Sequence, residues 1–306
     1  MTASRDAPDR TLPIARPKHL GRWAVVVVLL ALVGLVVYSL VTNERYNWPV
    51  VFEWFLSPRI LAGLWNTLEL TVISMIVGVV LGGVVGIMRL SKNPVIAGVA
   101  TFYIWFFRGT PVFVQLLFWG SISALYPVIV VGIPFGPSFG EFSANDVVTP
   151  FAAAILGLGL NEAAYMAEIV RAGVKSVDDG QREAAAALGM GRMRILRRVV
   201  LPQAMPVLIP PTGNELIGLL KTSSMVAVLA YPELLYSAQL IYSVNYQTIP
   251  LLITASLWYL IVTTVLSIGQ YFLERHFGRS FSSRVSRRAV STSTTSTTLT
   301  TAGSAS

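Results

Sequence analysis

The 306-residue chain has no cysteine and only two histidines. The first absence excludes disulfides, thiolate chemistry and Cys-ligated metal sites. His19 and His276 lie near opposite ends, outside the apolar stretches, which argues against a His-based catalytic or metal site. Charge is scarce as well. Only 12% of residues are Asp, Glu, Lys or Arg against 54% hydrophobic, and soluble domains carry roughly 25% charged residues. With a mean hydropathy of +0.65, this composition predicts a chain embedded in lipid. The net charge of +8 would point to nucleic acid in a soluble protein, but the placement of the positive charges says otherwise.

A spanning helix needs about 20 mostly apolar residues. Six stretches qualify: Trp23–Thr42, Leu64–Met88, Val95–Leu125, Val147–Ile169, Met205–Leu235 and Pro250–Phe272. The third and fifth are long and interrupted by Pro or Gly, as kinked or re-entrant segments would be. The first is too long for the apolar core of a signal peptide and no A-x-A-like site follows it, so it reads as a retained anchor. The fold class is therefore all-α and polytopic, with about six membrane helices.

Lys and Arg positions orient them. With the N-terminus inside, segments 1–22, 89–94, 170–204 and 273–306 are cytoplasmic, and they hold 19 of the 23 Lys and Arg residues. Both termini are then cytoplasmic. From Val290 onward the chain is nearly all Ser, Thr, Ala and Gly, a composition that predicts a disordered tail. The Arg284–Arg288 cluster before it is placed to rest on anionic headgroups.

Inside the spans, Gly78, Gly82 and Gly86 form a small-xxx-small stripe for close packing in a bundle or a dimer. Intramembrane charges mark sites or pathways by default, and the candidates are Glu69, Arg108, Glu162, Glu168, Glu215 and Lys221. Glu168 can instead pair with Arg171 at i+3, and Glu69 sits near the outer interface. Arg108 interrupts an aromatic run and precedes Gly109-Thr110-Pro111, a helix break. In the fifth span Pro206, Pro210 and Pro211 should disrupt the early part. Asn214, Glu215, Lys221, Thr222, Ser223 and Ser224 should face protein or water. Glu215 and Lys221, six apart, do not share a face.

Between the fourth and fifth spans lies a polar cytoplasmic hairpin, Gly180 to Pro202. Glu183–Leu188 is a short helix former, and Gly189 and Gly191 permit a turn. From Arg192 onward Met193, Leu196, Val199 and Val200 fall on one helical face and Arg194, Arg197 and Arg198 on another. The segment has no nucleophile–base pair and no phosphate loop, so it reads as a docking knob or as a plain interfacial connector.

The residues carry a resemblance here. Glu183-Ala184-Ala185, then Gly189, then Val199-Val200-Leu201-Pro202 resembles the EAA loop of type I permease subunits of ATP-binding-cassette importers. NTLELTVIS (66–74), FRGTPVFVQLLF (107–118), AAYMAEIVRAGVKSV (163–177), GQREAAAALGM (180–190), LPQA (201–204) and PPTGNELIGLLKTSSM (210–225) are similar to the polar amino-acid branch of that family, over roughly residues 63–273.

The resemblance implies a five-helix permease core at 63–273 containing a coupling loop at 178–202. Around it lie a basic leader (1–22), an added N-terminal helix (23–42), an external loop (43–62) and a basic, then Ser/Thr-rich tail (274–306). It implies a pore subunit paired with itself or a close relative in a bacterial-type cell membrane. Its coupling residues, Gly180, Glu183, Ala184, Ala185, Gly189, Leu201 and Pro202, would dock on a cytoplasmic ATPase dimer, and an external substrate-binding protein would deliver an amino acid. ATP and Mg would belong to the ATPase; this chain would be no enzyme, carry no cofactor or metal and bind no nucleic acid. Arg108, Thr110, Glu162, Glu168, Asn214, Glu215, Lys221 and Ser223 are the candidates for the pathway or its framework. Departures are Asp178, where Pro is usual, and Met225 at the end of the Lys-x-Ser-Ser run. An ion-coupled secondary transporter and a membrane anchor are the alternatives. The first often shows inverted repeats, and no convincing repeat relates the halves. An anchor would not need so polar a fifth span.

Overall fold

The computed structural model describes residues 20–133 and 137–300, with side chains described from 24 to 133 and from 137 to 277. Residues 1–19 of the expected leader (1–22), residues 301–306 and the side chains of Arg284–Arg288 lie outside it. Two compact units divide at Asn47. The first is dominated by α1, Leu20–Thr42, whose apolar side chains from Val25 to Val41 are exposed. Such a surface suits lipid rather than water.

The second unit begins with α2 (Trp48–Phe55) and α3 (Pro58–Arg89). There follow α4 (Pro94–Gly109), α5 (Val112–Gly120) and the short α6 (Ile122–Leu125). A hairpin of β1 (Val128–Gly132) and β2 (Ser138–Ser143) pairs antiparallel and leads through α7 (Ala144–Val147) to α8 (Pro150–Lys175). The cytoplasmic hairpin is α9 (Asp179–Ala187) and α10 (Arg192–Ile195), running through a π-turn into α11 (Leu201–Thr222). A 3-10 segment, Ser223–Leu229, then α12 (Leu234–Asn245) and α13 (Thr248–Thr300) complete it.

Three long helices start by one device: Ser57-Pro58, Asn93-Pro94 and Thr149-Pro150. Each side-chain oxygen accepts an amide of the first turn, and proline removes a donor that would have no helical acceptor. Among the described residues four helices are long and apolar enough to span a membrane, or six if each bent pair is one span. The bent pairs are the expected third and fifth spans. The third turns by 98° between α4 and α5. The fifth breaks elsewhere than its prolines suggest. α11 runs unbroken through Pro206, Pro210 and Pro211, as membrane helices can, although these prolines offer no N–H to the carbonyls of Pro202, Pro206 and Val207. Gln270 Nε2 of α13 donates to the Pro210 carbonyl at 3.2 Å and to Asn214 Oδ1 at 2.9 Å, tying the helix to its neighbour across this stretch. The break comes at the 3-10 segment, where Ala230 has φ +55°, and the axes on either side differ by 46°.

The closest helix pair is α3 with α8. A Cβ on Gly78 would lie 2.5 Å from Glu162 Cγ, one on Gly82 2.5 Å from Met166 Cβ, and one on Gly86 2.8 Å from the Ala167 carbonyl oxygen. The glycine stripe thus serves packing within the chain. It continues outward through buried Ser74, Thr71, Thr67 and Gly63, so small residues line one face of α3 for six turns. Leu70, Met75, Leu116, Leu158, Met166, Leu219 and Val226 fill the main core beside this seam.

Two further differences from the sequence reading have physical causes. The β-hairpin is unforeseen, although Val128-Ile129-Val130-Val131 is a β-branched run bounded by Gly and Pro. α13 continues to Thr300, so the Ser/Thr-rich stretch expected to lack structure is helical as far as that residue; extending an existing helix avoids the nucleation cost. Replacing Gly82 by Leu is expected to lower the unfolding midpoint of the detergent-solubilised chain, by the equivalent of about 1–3 kcal/mol or more of overpacking. Gly83→Leu, where nothing lies within 4 Å of a built Cβ, should leave the midpoint unchanged.

Candidate functional site

The sharp turn between α4 and α5 creates the site. Pro111 has no N–H to offer the Phe107 carbonyl four residues before it. That carbonyl is satisfied from elsewhere, by Asn161 Nδ2 of α8 at 2.8 Å and Gln115 Nε2 of α5 at 3.0 Å. Gln115 Nε2 also donates to Thr110 Oγ1 at 2.7 Å, while Thr110 Oγ1 donates to the Phe106 carbonyl at 2.9 Å. Tyr103 OH donates to the Leu160 carbonyl at 2.8 Å, fixing α4 on α8. Here the broken backbone is held by protein groups, the condition for such a break at membrane depth.

Under this turn opens a cavity of ≈ 560 Å³ walled by α4, the 109–112 turn, α8 and α11. Ligand pockets for small molecules run about 300–1,000 Å³. Arg108, Glu162 and Glu215 bring one guanidinium and two carboxyls to it, with Thr110, Asn161, Tyr165 and Thr222 between them. The Arg108 guanidinium stands 5.0 Å from the centroid of the Tyr165 ring, a cation–π contact that fixes its position. Glu162 is 5% exposed and its Oε1 has no hydrogen-bond partner among the described residues. The residue lines the cavity, and this oxygen, buried without a partner, is a group whose satisfaction a native structure must account for. Its stem lies against Gly78, so the α3 seam sets where this carboxyl points.

Of the sequence candidates, Arg108, Thr110, Glu162 and Glu215 therefore converge on one cavity. The others do not line it. Glu168 pairs with Arg171 at 2.6 Å, the framework reading of that residue. Asn214 Oδ1 accepts Gln270 Nε2 at 2.9 Å and ties α11 to α13. Lys221 is exposed away from the cavity, and Ser223 is buried, donating to the Leu220 carbonyl at 2.6 Å. Adjacent positions of α11 divide between the cavity face (Glu215, Gly218, Leu219, Thr222) and the faces that do not line it (Asn214, Lys221), a rotation that composition alone does not resolve.

Sequence reasoning missed Asn161 and Gln115, the groups that hold the turn, and Glu233. Glu233 is fully buried; its carboxylate accepts the amides of Leu235 (2.9 Å) and Tyr236 (2.6 Å) and the hydroxyl of Tyr259 at 2.9 Å. Thr67 Oγ1 accepts the Leu234 amide at 2.9 Å, and Asn66 Nδ2 donates to the Pro232 carbonyl at 2.8 Å. The break after α11 is thereby clamped to α3 and α13. A Pro-Glu-Leu start to an apolar helix was the available sign in the sequence.

The cytoplasmic hairpin forms largely as expected. Asp178 caps α9 by accepting the Gly180 amide at 2.8 Å, so the unusual residue here is a functioning cap. Gly189 has φ +75°, a conformation costly for other residues. Val177, Val200 and Ala204 root the hairpin in a small core with Ile195 and Leu196, and Arg182 Nη2 donates back to the Val174 carbonyl of α8. Ala185 faces inward, whereas Glu183, Ala184 and Ala187 are exposed, Leu188 at 83%. Of the apolar face expected from Met193, Leu196, Val199 and Val200, Val200 is buried and Met193 is 73% exposed, as a residue turned toward a membrane interface can be.

The family of binding-protein-dependent transport system inner membrane components matches residues 78–279. The chain belongs to this family. It is 46% identical over 267 residues to the arginine transport system permease protein ArgU of Corynebacterium glutamicum, covering 86% of this chain and 82% of that protein. The nopaline transport system permease protein NocM of Agrobacterium fabrum is 36% identical over 72% of this chain and 89% of its own. Among solved structures, an amino acid ABC transporter with histidines superposes with a TM-score of 0.60 at 35% identity, over 72% of this chain and 94% of that one. As a member of this transport family with several apolar spans, the protein is a multi-pass permease subunit of an ATP-binding-cassette importer.

Replacing Glu233 by Ala strips two α12 amides and the Tyr259 hydroxyl of their shared acceptor. It is expected to cost about 1–3 kcal/mol, read as a lowered thermal midpoint of the solubilised chain, while Glu233→Gln, which can still accept, loses less.

Proposed function

We propose that the protein is the pore-forming subunit of an importer for polar amino acids, with a preference for cationic ones. The observation that carries this is the charge set of the cavity under the α4–α5 turn: one guanidinium and two carboxyls facing the same space. An α-amino acid presents a carboxylate and an ammonium. Arg108, held by Tyr165, is placed to take the first, and Glu162, with its unsatisfied oxygen, the second. Glu215, within electrostatic reach of both Arg108 and Glu162, is left for a second positive group on the substrate side chain. The name of the arginine system relative agrees with that chemistry.

The energy comes from another subunit in this reading. The exposed end of the cytoplasmic hairpin, with Glu183, Ala184 and Leu188, fits a cleft of a cytoplasmic ATPase that carries ATP and Mg. Gly180 and Gly189 shape the hairpin, Ala185 packs it inward, and Leu201-Pro202 joins it to α11. Two such chains, identical or closely related, line the pathway across a bacterial cytoplasmic membrane, and an external binding protein supplies the substrate. ATP-driven closure of the ATPase pair moves both hairpins and, through the core at their roots, shifts the α11 wall of the cavity against the α8 wall. The ion-coupled alternative leaves the exposed hairpin without a purpose.

Two outcomes test the reading in proteoliposomes holding the whole importer. Glu183→Lys should abolish substrate-dependent ATP hydrolysis and uptake while the chain still inserts and pairs; normal uptake by an assembled variant sinks the docking role. Arg108→Ala and Glu162→Gln should each reduce arginine uptake by at least about tenfold, the loss of a charge-assisted hydrogen bond, with assembly preserved. Calorimetry on the cognate binding protein should show arginine or lysine bound in preference to glutamate, and preference for glutamate would overturn the cationic assignment.

A further inference from the structure

A second cleft lies at the other end of the α3–α8 seam, apart from the cavity already described. It is lined by Arg89, Leu90 and Ser91 at the end of α3 and by Arg171 and Lys175 at the end of α8, and it encloses ≈ 260 Å³. That falls below the roughly 300–1,000 Å³ of a small-molecule pocket and suits a headgroup. Lys and Arg placement puts it on the cytoplasmic side. Among the described residues the ion pairs are Arg171–Glu168 and Arg182–Asp179, so Arg89 and Lys175 have no carboxylate within ion-pair distance. Arg171 uses Nε and Nη2 on a single oxygen of Glu168, at 2.8 and 2.6 Å, leaving Nη1 to donate elsewhere. Ser91 Oγ accepts the Asn93 amide at 3.2 Å and keeps its own proton available. Three cations less one paired carboxylate leave two formal positive charges, which outweigh the partial negative charge of two helix C-termini.

We propose that this cleft binds the phosphate headgroup of an anionic lipid from the cytoplasmic leaflet. A lipid is favoured over a free anion because the cleft sits at the cytoplasmic ends of two membrane helices, the level at which anionic headgroups lie. The exposed Val80, Val84 and Ile87 of α3 show that this helix end is bordered by surface suited to acyl chains, while the arginines and lysine would hold the phosphate. Basic pockets between membrane helices on the cytoplasmic side are suited to such headgroups. The site also touches the coupling machinery. Lys175 ends α8 just before the Asp178 cap of α9, and Arg182 donates to the carbonyl of Val174, the residue before Lys175. A bound headgroup therefore braces the root of the cytoplasmic hairpin.

Native mass spectrometry of the full chain in detergent, titrated with phosphatidylglycerol or phosphatidylcholine of matched chains, reads the site without transport. The wild type should retain one phosphatidylglycerol per chain about tenfold more tightly than phosphatidylcholine, as contacts with two or three cations would give. Arg89→Gln with Lys175→Gln should remove that one retained lipid. Arg89→Lys with Lys175→Arg, and Lys92→Gln outside the cleft, should both keep it. Lys175→Gln alone, a change at an exposed helix end, covers the case of a misfolded double variant and should weaken retention measurably. Equal retention of the two lipids by the wild type, or a preference unchanged by the Gln variants, overturns the proposal. Displacement of the phosphatidylglycerol by millimolar inorganic phosphate overturns it too, by showing a free-anion site.

Discussion

One carbonyl without its helical donor organises the cavity beneath the α4–α5 turn. Phe107 cannot bond to position 111 because proline stands there, and lipid offers no water to replace the lost N–H. Asn161 from α8 and Gln115 from α5 supply it instead, at 2.8 and 3.0 Å. Those two amides permit a 98° turn, and the turn is what carries Arg108 and Thr110 away from a straight helix and into a cavity. The charged residue and the break that follows it form one device. Arginine is tolerable at this depth because the turn gives it a polar space and an aromatic face, and the turn is tolerable because neighbouring helices satisfy its backbone.

The supporting wall is the α3–α8 seam. Lipid tails are as apolar as the side chains facing them, so helix association must come from close packing and hydrogen bonds rather than from exclusion of water. Glycines at 78, 82 and 86 let the two backbones approach until a Cβ would collide with Glu162, Met166 or Ala167. Gly78 consequently has two functions: it allows the helices to meet, and it gives the stem of Glu162 a place to lie so that the carboxyl reaches the cavity. A residue chosen for packing thus fixes the position of a charged residue in the cavity wall.

Much of this was legible in the sequence, and the limits have physical reasons. Spans, orientation and the glycine stripe follow from averages over many residues, which single contacts do not disturb. Arg108 was recognisable because an isolated arginine before Gly-Thr-Pro has few other uses in a membrane helix. By contrast, Asn214, Lys221 and Ser223 looked equivalent to Glu215. Which of them meets the cavity depends on the rotation of α11 against α8 and α13, set by packing partners tens of residues away. The three prolines of α11 misled for a similar reason: whether proline breaks a membrane helix depends on the packing around it, and here Gln270 of α13 holds the Pro210 carbonyl and Asn214 across that stretch. Asn161, Gln115 and Glu233 were invisible because their value lies in a partner across the fold, at separations of 54, 8 and 26 residues.

The placement of rigidity suggests how force could pass from hairpin to cavity. The hairpin is rooted by Val177, Val200 and Ala204, which belong to the ends of α8 and α11 and the segments joining them to it. Those two helices also supply Glu162 and Glu215 to the cavity. α3, by contrast, is bound to α8 along the glycine seam and to α12 through Thr67 and Asn66, so α8 does not slide along it without breaking close backbone contact. A pull on the hairpin is therefore better accommodated by α11 moving relative to the α3–α8 pair than by α3 and α8 separating. Such a motion changes the distance between Glu215 on one wall and Arg108 and Glu162 on the other. The cavity's charges are thus divided between α11 on one side and α4 and α8 on the other, so their spacing follows the position of α11.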